Sequence, residues 1–156
     1  MNVVEVDTPG GQYPIRIAPG RLDALDESIP ADATAIAVVT NPTVAALYGE
    51  RAEAALARTG KRVLRIELPD GESYKDWQSL NLIFDALLTH RLDRRCVLVA
   101  LGGGVIGDMT AVSYTHLYCI IRRLQQWSPC AEPSLLLTVE GISYQPASRF
   151  PRYPGL

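Results

Sequence analysis

Three short apolar segments, each followed by a longer stretch with helical periodicity, constrain the fold of this chain most. The segments are Ala35–Val39, Val63–Leu68 and Cys96–Leu101. Apolar strands that alternate with helices are typical of a parallel sheet covered by helices on both faces. The pattern therefore predicts an α/β fold with a Rossmann-like parallel sheet.

The N-terminal residues show a different pattern. Asn2–Asp7 and Tyr13–Ile17 alternate apolar and polar residues on either side of the turn signal Thr8-Pro9-Gly10-Gly11. This alternation predicts a β-hairpin at the edge of the sheet. Arg21–Ser28 is expected to form a short helix before the first parallel strand.

Local signals mark the ends of the helices. Asn41 can cap a helix that has Pro42 in its first turn, and Gly60 is expected to end that helix in a left-handed conformation. A second helix is predicted from about Lys75 to His90, and a third is expected to open at Val105.

Composition excludes several classes of function. The chain has 156 residues, of which 47% are hydrophobic and 21% charged, with a formal net charge of -2. This is a globular composition without the basic field that binds nucleic acid. No apolar run approaches the roughly 18 residues that a membrane span needs. Three cysteines without CxxC spacing, and a start without signal-peptide features, predict a cytoplasmic protein.

The loops after the three strands are the candidate functional region, because ligands of open α/β sheets bind at the carboxyl ends of the strands. Gly102, Gly104 and Gly107 match G-x-G-x-x-G directly after a strand. This pattern predicts a phosphate-binding loop at a helix N-terminus. The alternative is a tight turn without a ligand, since the acidic residue expected about 20 positions downstream is not found.

The segment Asp70–Lys75 places two carboxylates and an ammonium group at the same edge. Such a set suits ribose hydroxyls and a phosphate, although solvated loop charges would look the same. Ser73 with Asp76 also resembles a helix-capping box. Asp108 fits a helix-stabilising role in the first turn as well as a ligand contact. His90 fits a helix C-terminal cation and is left outside the site.

Three ordered motifs together indicate a family. Val39-Thr40-Asn41, Leu68–Lys75 (LPDGESYK) and Leu98–Thr110 (LVALGGGVIGDMT) resemble the N-terminal domain of the 3-dehydroquinate synthase family, within the wider sugar-phosphate cyclase group. The resemblance covers residues 1–110, which we interpret as an NAD-binding domain. A different cyclase or a glycerol-dehydrogenase-like protein is the less favoured alternative, because most of those relatives lack the full PDGE-x-x-K string.

The resemblance implies a cytoplasmic enzyme that uses NAD and a divalent metal, zinc or cobalt, to convert the sugar phosphate DAHP to 3-dehydroquinate and phosphate in aromatic amino acid biosynthesis. Full-length members are expected to be homodimers. Asn41 would contact the adenosine side, Glu72 and Lys75 the ribose and cofactor, and the glycine loop the pyrophosphate. The cofactor-binding positions that the resemblance implies are Asn41, Asp70, Gly71, Glu72, Lys75, Gly103, Gly104, Val105, Ile106, Gly107 and Asp108.

The resemblance stops after Thr110. Residues 111–156 contain five prolines and no sustained strand–helix alternation, although Ser134–Val139 could form one strand. We interpret this segment as a poorly ordered tail in place of the family's helical metal-binding domain, with no metal ligands and no catalytic residues assigned. The chain is accordingly predicted to be an inactive, at most nucleotide-binding fragment, and the third parallel strand is predicted to be an open sheet edge.

Overall fold

A computed structural model describes residues 2–8, 11–113, 135–139 and 142–144 of the chain. Its strands form one mixed sheet, and they are β1 (Asn2–Thr8), β2 (Gly11–Ile17), β3 (Ala35–Thr40), β4 (Arg62–Glu67), β5 (Cys96–Leu101), β6 (Leu135–Val139) and β7 (Ile142–Tyr144). The order across the sheet is β1-β2-β7-β6-β5-β3-β4.

The centre of the sheet is parallel and its N-terminal side is antiparallel. β3 runs parallel to both β4 and β5, and β5 runs parallel to β6. β1 and β2 form an antiparallel hairpin whose register runs from Asn2 opposite Ile17 to Thr8 opposite Gly11. The predicted Rossmann-like parallel sheet with an N-terminal hairpin is therefore confirmed.

Helices cover both faces of the sheet. The α-helices are α1 (Pro42–Val44), α2 (Glu50–Ala57), α3 (Trp77–Thr89) and α4 (residues 104–113), with a π-helical segment (Ala45–Gly49) between α1 and α2. Two 3-10 helices span Arg21–Ser28 and Glu72–Tyr74. The expected short helix at Arg21–Ser28 is thus present in 3-10 form.

Two buried clusters lie on opposite sides of β3 and β5, because successive side chains of a strand point to opposite faces. One cluster packs Ala37, Val39 and Leu98 against α3 and α4 through Ile83 and Ile106. The other cluster packs against α2 and the Arg21–Ser28 helix, and it includes Leu25, Ile36, Val38, Leu56, Val97 and Val99. The glycine loop between β5 and α4 therefore lies at the boundary between the two faces.

The helix boundaries follow the local signals with one adjustment. Asn41 Oδ1 accepts a hydrogen bond from the Val44 amide at 2.9 Å, and Gly60 has a φ of 68°. α3 begins at Trp77, because the side chain of Asp76 accepts from the Ser79 amide at 2.8 Å. Asp76 is thus the capping residue itself, so the suggested capping box that starts at Ser73 is wrong.

The segment expected as a second buried strand is β4, and it lies at the edge of the sheet. Ile66 is its only buried residue. Arg65 is partly exposed and pairs with Glu53 at 3.1 Å and with Glu67 at 3.5 Å. The expectation of a fully buried strand is wrong here, because an edge strand has a neighbour on one side only.

The expected open edge at β5 is also wrong. β5 pairs with β3 on one side and with β6 on the other, where Leu98 lies opposite Leu135 and Leu101 opposite Thr138. The apolar segment Leu135–Val139 supplies the neighbouring strand from within residues 111–156. Most of that segment, and with it the prediction that it is poorly ordered, lies outside the described residues.

Candidate functional site at the carboxyl ends of the strands

The loops that follow β3, β4 and β5 meet at one edge of the sheet. The three strands are parallel and in register, and the Leu68 amide after β4 donates to the Thr40 carbonyl of β3 at 2.8 Å. Parallel strands bring their carboxyl ends to a common edge, so residues distant in sequence become neighbours there.

Lys75 is the centre of a charged cluster at this edge. Its Nζ atom lies 2.7 Å from Asp108 Oδ2 and 3.3 Å from Glu72 Oε1. The hydrogen bond to Asp108, followed by the one to Glu72, raises the pKa of Lys75 above its ordinary value. The ammonium group is therefore fully charged near neutral pH, and three of the predicted site residues lie together.

A second contact joins the loop after β4 to the first turn of the helix after β3. The Thr43 hydroxyl donates to Asp70 Oδ2 at 2.6 Å. Asn41, in the same turn, uses its Oδ1 atom as a helix cap. Sequence reasoning did not identify Thr43, because a threonine in a first helical turn gives no signal of a partner 27 residues away.

The glycines of the loop have different roles. A Cβ atom on Gly102 would lie 2.9 Å from both Cβ and Cγ1 of Ile106, whereas a Cβ on Gly103 or Gly104 would meet nothing within 4 Å. The Gly107 amide donates to the Gly103 carbonyl at 3.0 Å and closes the first turn of α4. Gly102 thus serves packing, and the space beside Gly103 and Gly104 is open to a ligand.

Val105 and Ile106 present their backbone rather than their side chains to this edge. The side chain of Ile106, a residue of α4, is buried in the core cluster that also contains residues of α3, and Val105 packs partly against the same cluster. A ligand at the loop would accordingly meet their amide groups. This is the arrangement by which a helix N-terminus binds a phosphate.

Other candidate groups lie outside the site. Burial raises the pKa of the Cys96 thiol to about 12, so this side chain is not a nucleophile. Within residues 2–8, 11–113, 135–139 and 142–144, no group of three or more His, Cys, Asp or Glu side chains could hold a metal ion. The same part of the chain contains no helix long and apolar enough to cross a membrane.

The fold and the position of the glycine loop define the class of protein. A parallel sheet with helices on both faces and a glycine loop between a central strand and a helix N-terminus is a Rossmann-like α/β domain. Residues 65–122 match the family model described as 3-dehydroquinate synthase N-terminal.

Curated proteins with similar sequences are also 3-dehydroquinate synthases. The chain is 86% identical over 110 residues to the 3-dehydroquinate synthases of Bordetella pertussis (strain Tohama I) and Bordetella parapertussis (strain 12822). The alignment covers 70% of this chain and 31% of each relative, so the chain spans about a third of their length. The chain is therefore similar to 3-dehydroquinate synthases over 110 residues, and residues 65–122 match the N-terminal model of that family.

Solved structures show the same fold. A 2-deoxy-scyllo-inosose synthase complexed with carbaglucose-6-phosphate, NAD+ and Co2+ has a TM-score of 0.73 at 15% identity, covering 88% of this chain and 35% of the other. The 2-epi-5-epi-valiolone synthase ValA from Streptomyces hygroscopicus subsp. jinggangensis 5008, with NAD+ and Zn2+ bound, has a TM-score of 0.55 at 26% identity. That match covers 65% of this chain and 28% of ValA.

Proposed function

We propose that residues 1–110 are the NAD-binding part of a 3-dehydroquinate synthase. The observation that supports this most directly is the Lys75 ammonium group, which pairs with Glu72 and with Asp108, the residue that directly follows the glycine loop in the sequence. The residues proposed to contact NAD are Asn41, Asp70, Gly71, Glu72, Lys75, Gly103, Gly104, Val105, Ile106, Gly107 and Asp108.

Each group has a physical reason to take part. The backbone amides at the start of α4 would donate to the pyrophosphate of NAD, and the open space beside Gly103 allows that approach. The carboxylates of Asp70 and Glu72 would accept hydrogen bonds from ribose hydroxyls. The ammonium group of Lys75 has three N–H donors, so beyond its contacts with Glu72 and Asp108 it would donate to a ribose or phosphate oxygen of NAD. When bound, NAD would accept a hydride from the substrate carbon that bears a hydroxyl group, and the hydroxyl would lose its proton as the ketone forms.

Replacing Lys75 by methionine is expected to weaken NAD binding about tenfold, because one charged contact to a phosphate or ribose is lost. Isothermal titration of the chain with NAD at low and high salt measures the effect, and the difference from wild type is expected to shrink at high salt. Unchanged NAD affinity in Lys75→Met would contradict the assignment.

Arg94→Met is the matched control for this titration. Arg94 lies in the loop before β5, at the end of the strand opposite the glycine loop, so its replacement removes one positive charge away from the site. NAD affinity is expected to stay within about twofold of wild type, since distant surface charges are largely screened. An equal loss in both variants would mean that net charge alone sets the affinity.

The conversion of DAHP to 3-dehydroquinate is proposed for full-length relatives and not for this chain by itself. The described residues supply the proposed cofactor contacts, but they do not fit a metal ion, so no step through a metal is assigned to them. We expect no enzymatic phosphate release from DAHP when NAD with Zn²⁺ or Co²⁺ is added. Metal-dependent turnover in a phosphate-release assay would refute the prediction of an inactive chain.

Further parts of this proposal rest on the family resemblance. We propose a domain boundary near residue 110, a cytoplasmic location, and a homodimer for full-length members. The alternative identity, a different sugar-phosphate cyclase or a glycerol-dehydrogenase-like protein, is less well supported, because the 86% identical relatives are 3-dehydroquinate synthases.

A further inference from the structure

Asp70 differs from the other two carboxylates of the proposed site. Glu72 and Asp108 both pair with Lys75, whereas Asp70 forms no ion pair within the described part of the chain. Its partner there is an uncharged group, the Thr43 hydroxyl, which donates to Oδ2 at 2.6 Å. Asp70 and Thr43 are both exposed, so a ligand at the carboxyl ends of the strands can reach this carboxylate.

The first turn of α1 fixes the position of Thr43. Asn41 Oδ1 accepts from the Val44 amide at 2.9 Å, and the Asn41 carbonyl accepts from the Ala45 amide at 2.8 Å. Threonine is branched at Cβ, so its side chain has few rotamers. The Thr43 hydroxyl is therefore a donor with a nearly fixed direction.

The loop after β4 fixes the backbone of Asp70 but not its carboxylate. The Leu68 amide donates to the Thr40 carbonyl at 2.8 Å, and the Leu68 side chain is buried. Gly71 continues the loop with a φ of 114°, which glycine adopts without strain. The hydrogen bond from Thr43 then restricts the carboxylate itself and leaves Oδ1 available as an acceptor. An acceptor that is already oriented loses little side-chain entropy when a ligand binds.

The strand order relates Asp70 to the glycine loop. β4 and β5 both neighbour β3, so the loops that follow them begin two strand spacings apart, about 10 Å. A pyrophosphate held by the amides at the start of α4 would direct one ribose toward the loop after β4. Because β4 is the edge strand, this is the outer side of the site. The adenosine half of NAD fits there, since the nicotinamide ring reacts where water is excluded.

We propose that Thr43 is a positioning residue of the nucleotide site. It holds Asp70 so that Oδ1 accepts a hydrogen bond from a hydroxyl of the adenosine ribose. This inference rests on the proposed NAD site and adds to it a residue that acts through Asp70. A contact that only supported the loops would affect every ligand of the site alike, whereas a positioning role affects only ligands that carry the ribose hydroxyls.

The test compares NAD with an NAD analogue that lacks both hydroxyls of the adenosine ribose, in calorimetric titrations of the whole chain. Thr43→Val removes the hydroxyl and is expected to weaken NAD binding about fivefold, because Asp70 must then be ordered on binding. Thr43→Ser is expected to keep NAD affinity within about twofold of wild type. The analogue is expected to bind wild type and Thr43→Val equally.

The possible outcomes separate this inference from the NAD site itself. NAD affinity of Thr43→Val within about twofold of wild type would overturn the role of Thr43 and leave the NAD site in place. Equal losses for NAD and the analogue would overturn it too, because they would indicate a purely structural contact. Binding of neither ligand by the wild-type chain would refute the NAD site, and this inference with it.

Asp70→Ala tests whether Thr43 acts through Asp70. In this background the acceptor is absent, so adding Thr43→Val is expected to change NAD affinity by less than about twofold. A further loss of about fivefold in the double variant would contradict the positioning role. Thr43→Ala, which favours the helix more than valine does, replaces Thr43→Val in each titration if the valine variant fails to fold.

Discussion

Replacing Gly102 by valine is expected to lower the free energy of unfolding by about 3 kcal/mol, because the new side chain overpacks a rigid contact. A Cβ atom at this position would lie 2.9 Å from Ile106 Cβ and Cγ1. Ile106 is 1% exposed, and its Cβ is held by the backbone of α4, so it cannot move aside without displacing the helix. Urea or thermal unfolding followed by circular dichroism measures the loss.

Gly102→Ala provides a graded comparison. It adds the Cβ alone and is expected to cost about 1–2 kcal/mol, less than valine. Gly102 does not have a positive φ, so the cost comes from sterics and not from backbone conformation. An unfolding free energy of Gly102→Val within about 0.5 kcal/mol of wild type, the range of an ordinary surface substitution, would disprove the packing role.

The same substitution one residue later is expected to leave the fold intact and to abolish binding. Gly103→Val adds its side chain to open space, since nothing lies within 4 Å of the new Cβ. If that space admits the pyrophosphate of NAD, the valine methyl groups exclude the close backbone approach that the loop provides. NAD affinity is expected to fall about 100-fold, which corresponds to about 2.7 kcal/mol.

Calorimetric titration with NAD checks this prediction, and the melting temperature of Gly103→Val is its internal control. A melting temperature close to wild type together with lost binding would assign the loop to the cofactor. Wild-type NAD affinity in Gly103→Val would contradict that assignment and favour the alternative of a tight turn without a ligand. The two adjacent glycines therefore separate packing from recognition.

The features that were predicted correctly are those set by nearby residues. Asn41 caps its helix because the amide it accepts from is three residues away, and β1 pairs with β2, which follows it closely in the sequence. The glycine loop was identified for the same reason, since its strand, its glycines and its helix are consecutive. The residue that caps α3 is Asp76 and not Ser73, so a local pattern can misplace the start of a helix by a few residues.

The features that were missed depend on partners distant in sequence. Asp108 and Lys75 were both candidate site residues, but their direct contact at 2.7 Å was not predicted. The edge position of β4 and the pairing of β5 with β6 follow from the strand order, which apolar runs do not encode.

The sequence alone was sufficient for the α/β class, the N-terminal hairpin, the phosphate-loop pattern and the family resemblance, because backbone preferences and short motifs act over a few neighbouring residues. The tertiary structure decided whether each glycine faces a packed side chain or open space, which charges pair across loops, and which strand pairs with β5. Those outcomes depend on packing, which brings Lys75 to Asp108 and Gly102 against Ile106. The glycine loop is therefore a motif in the sequence, but only the structure separates Gly102, which packs, from Gly103, which faces open space.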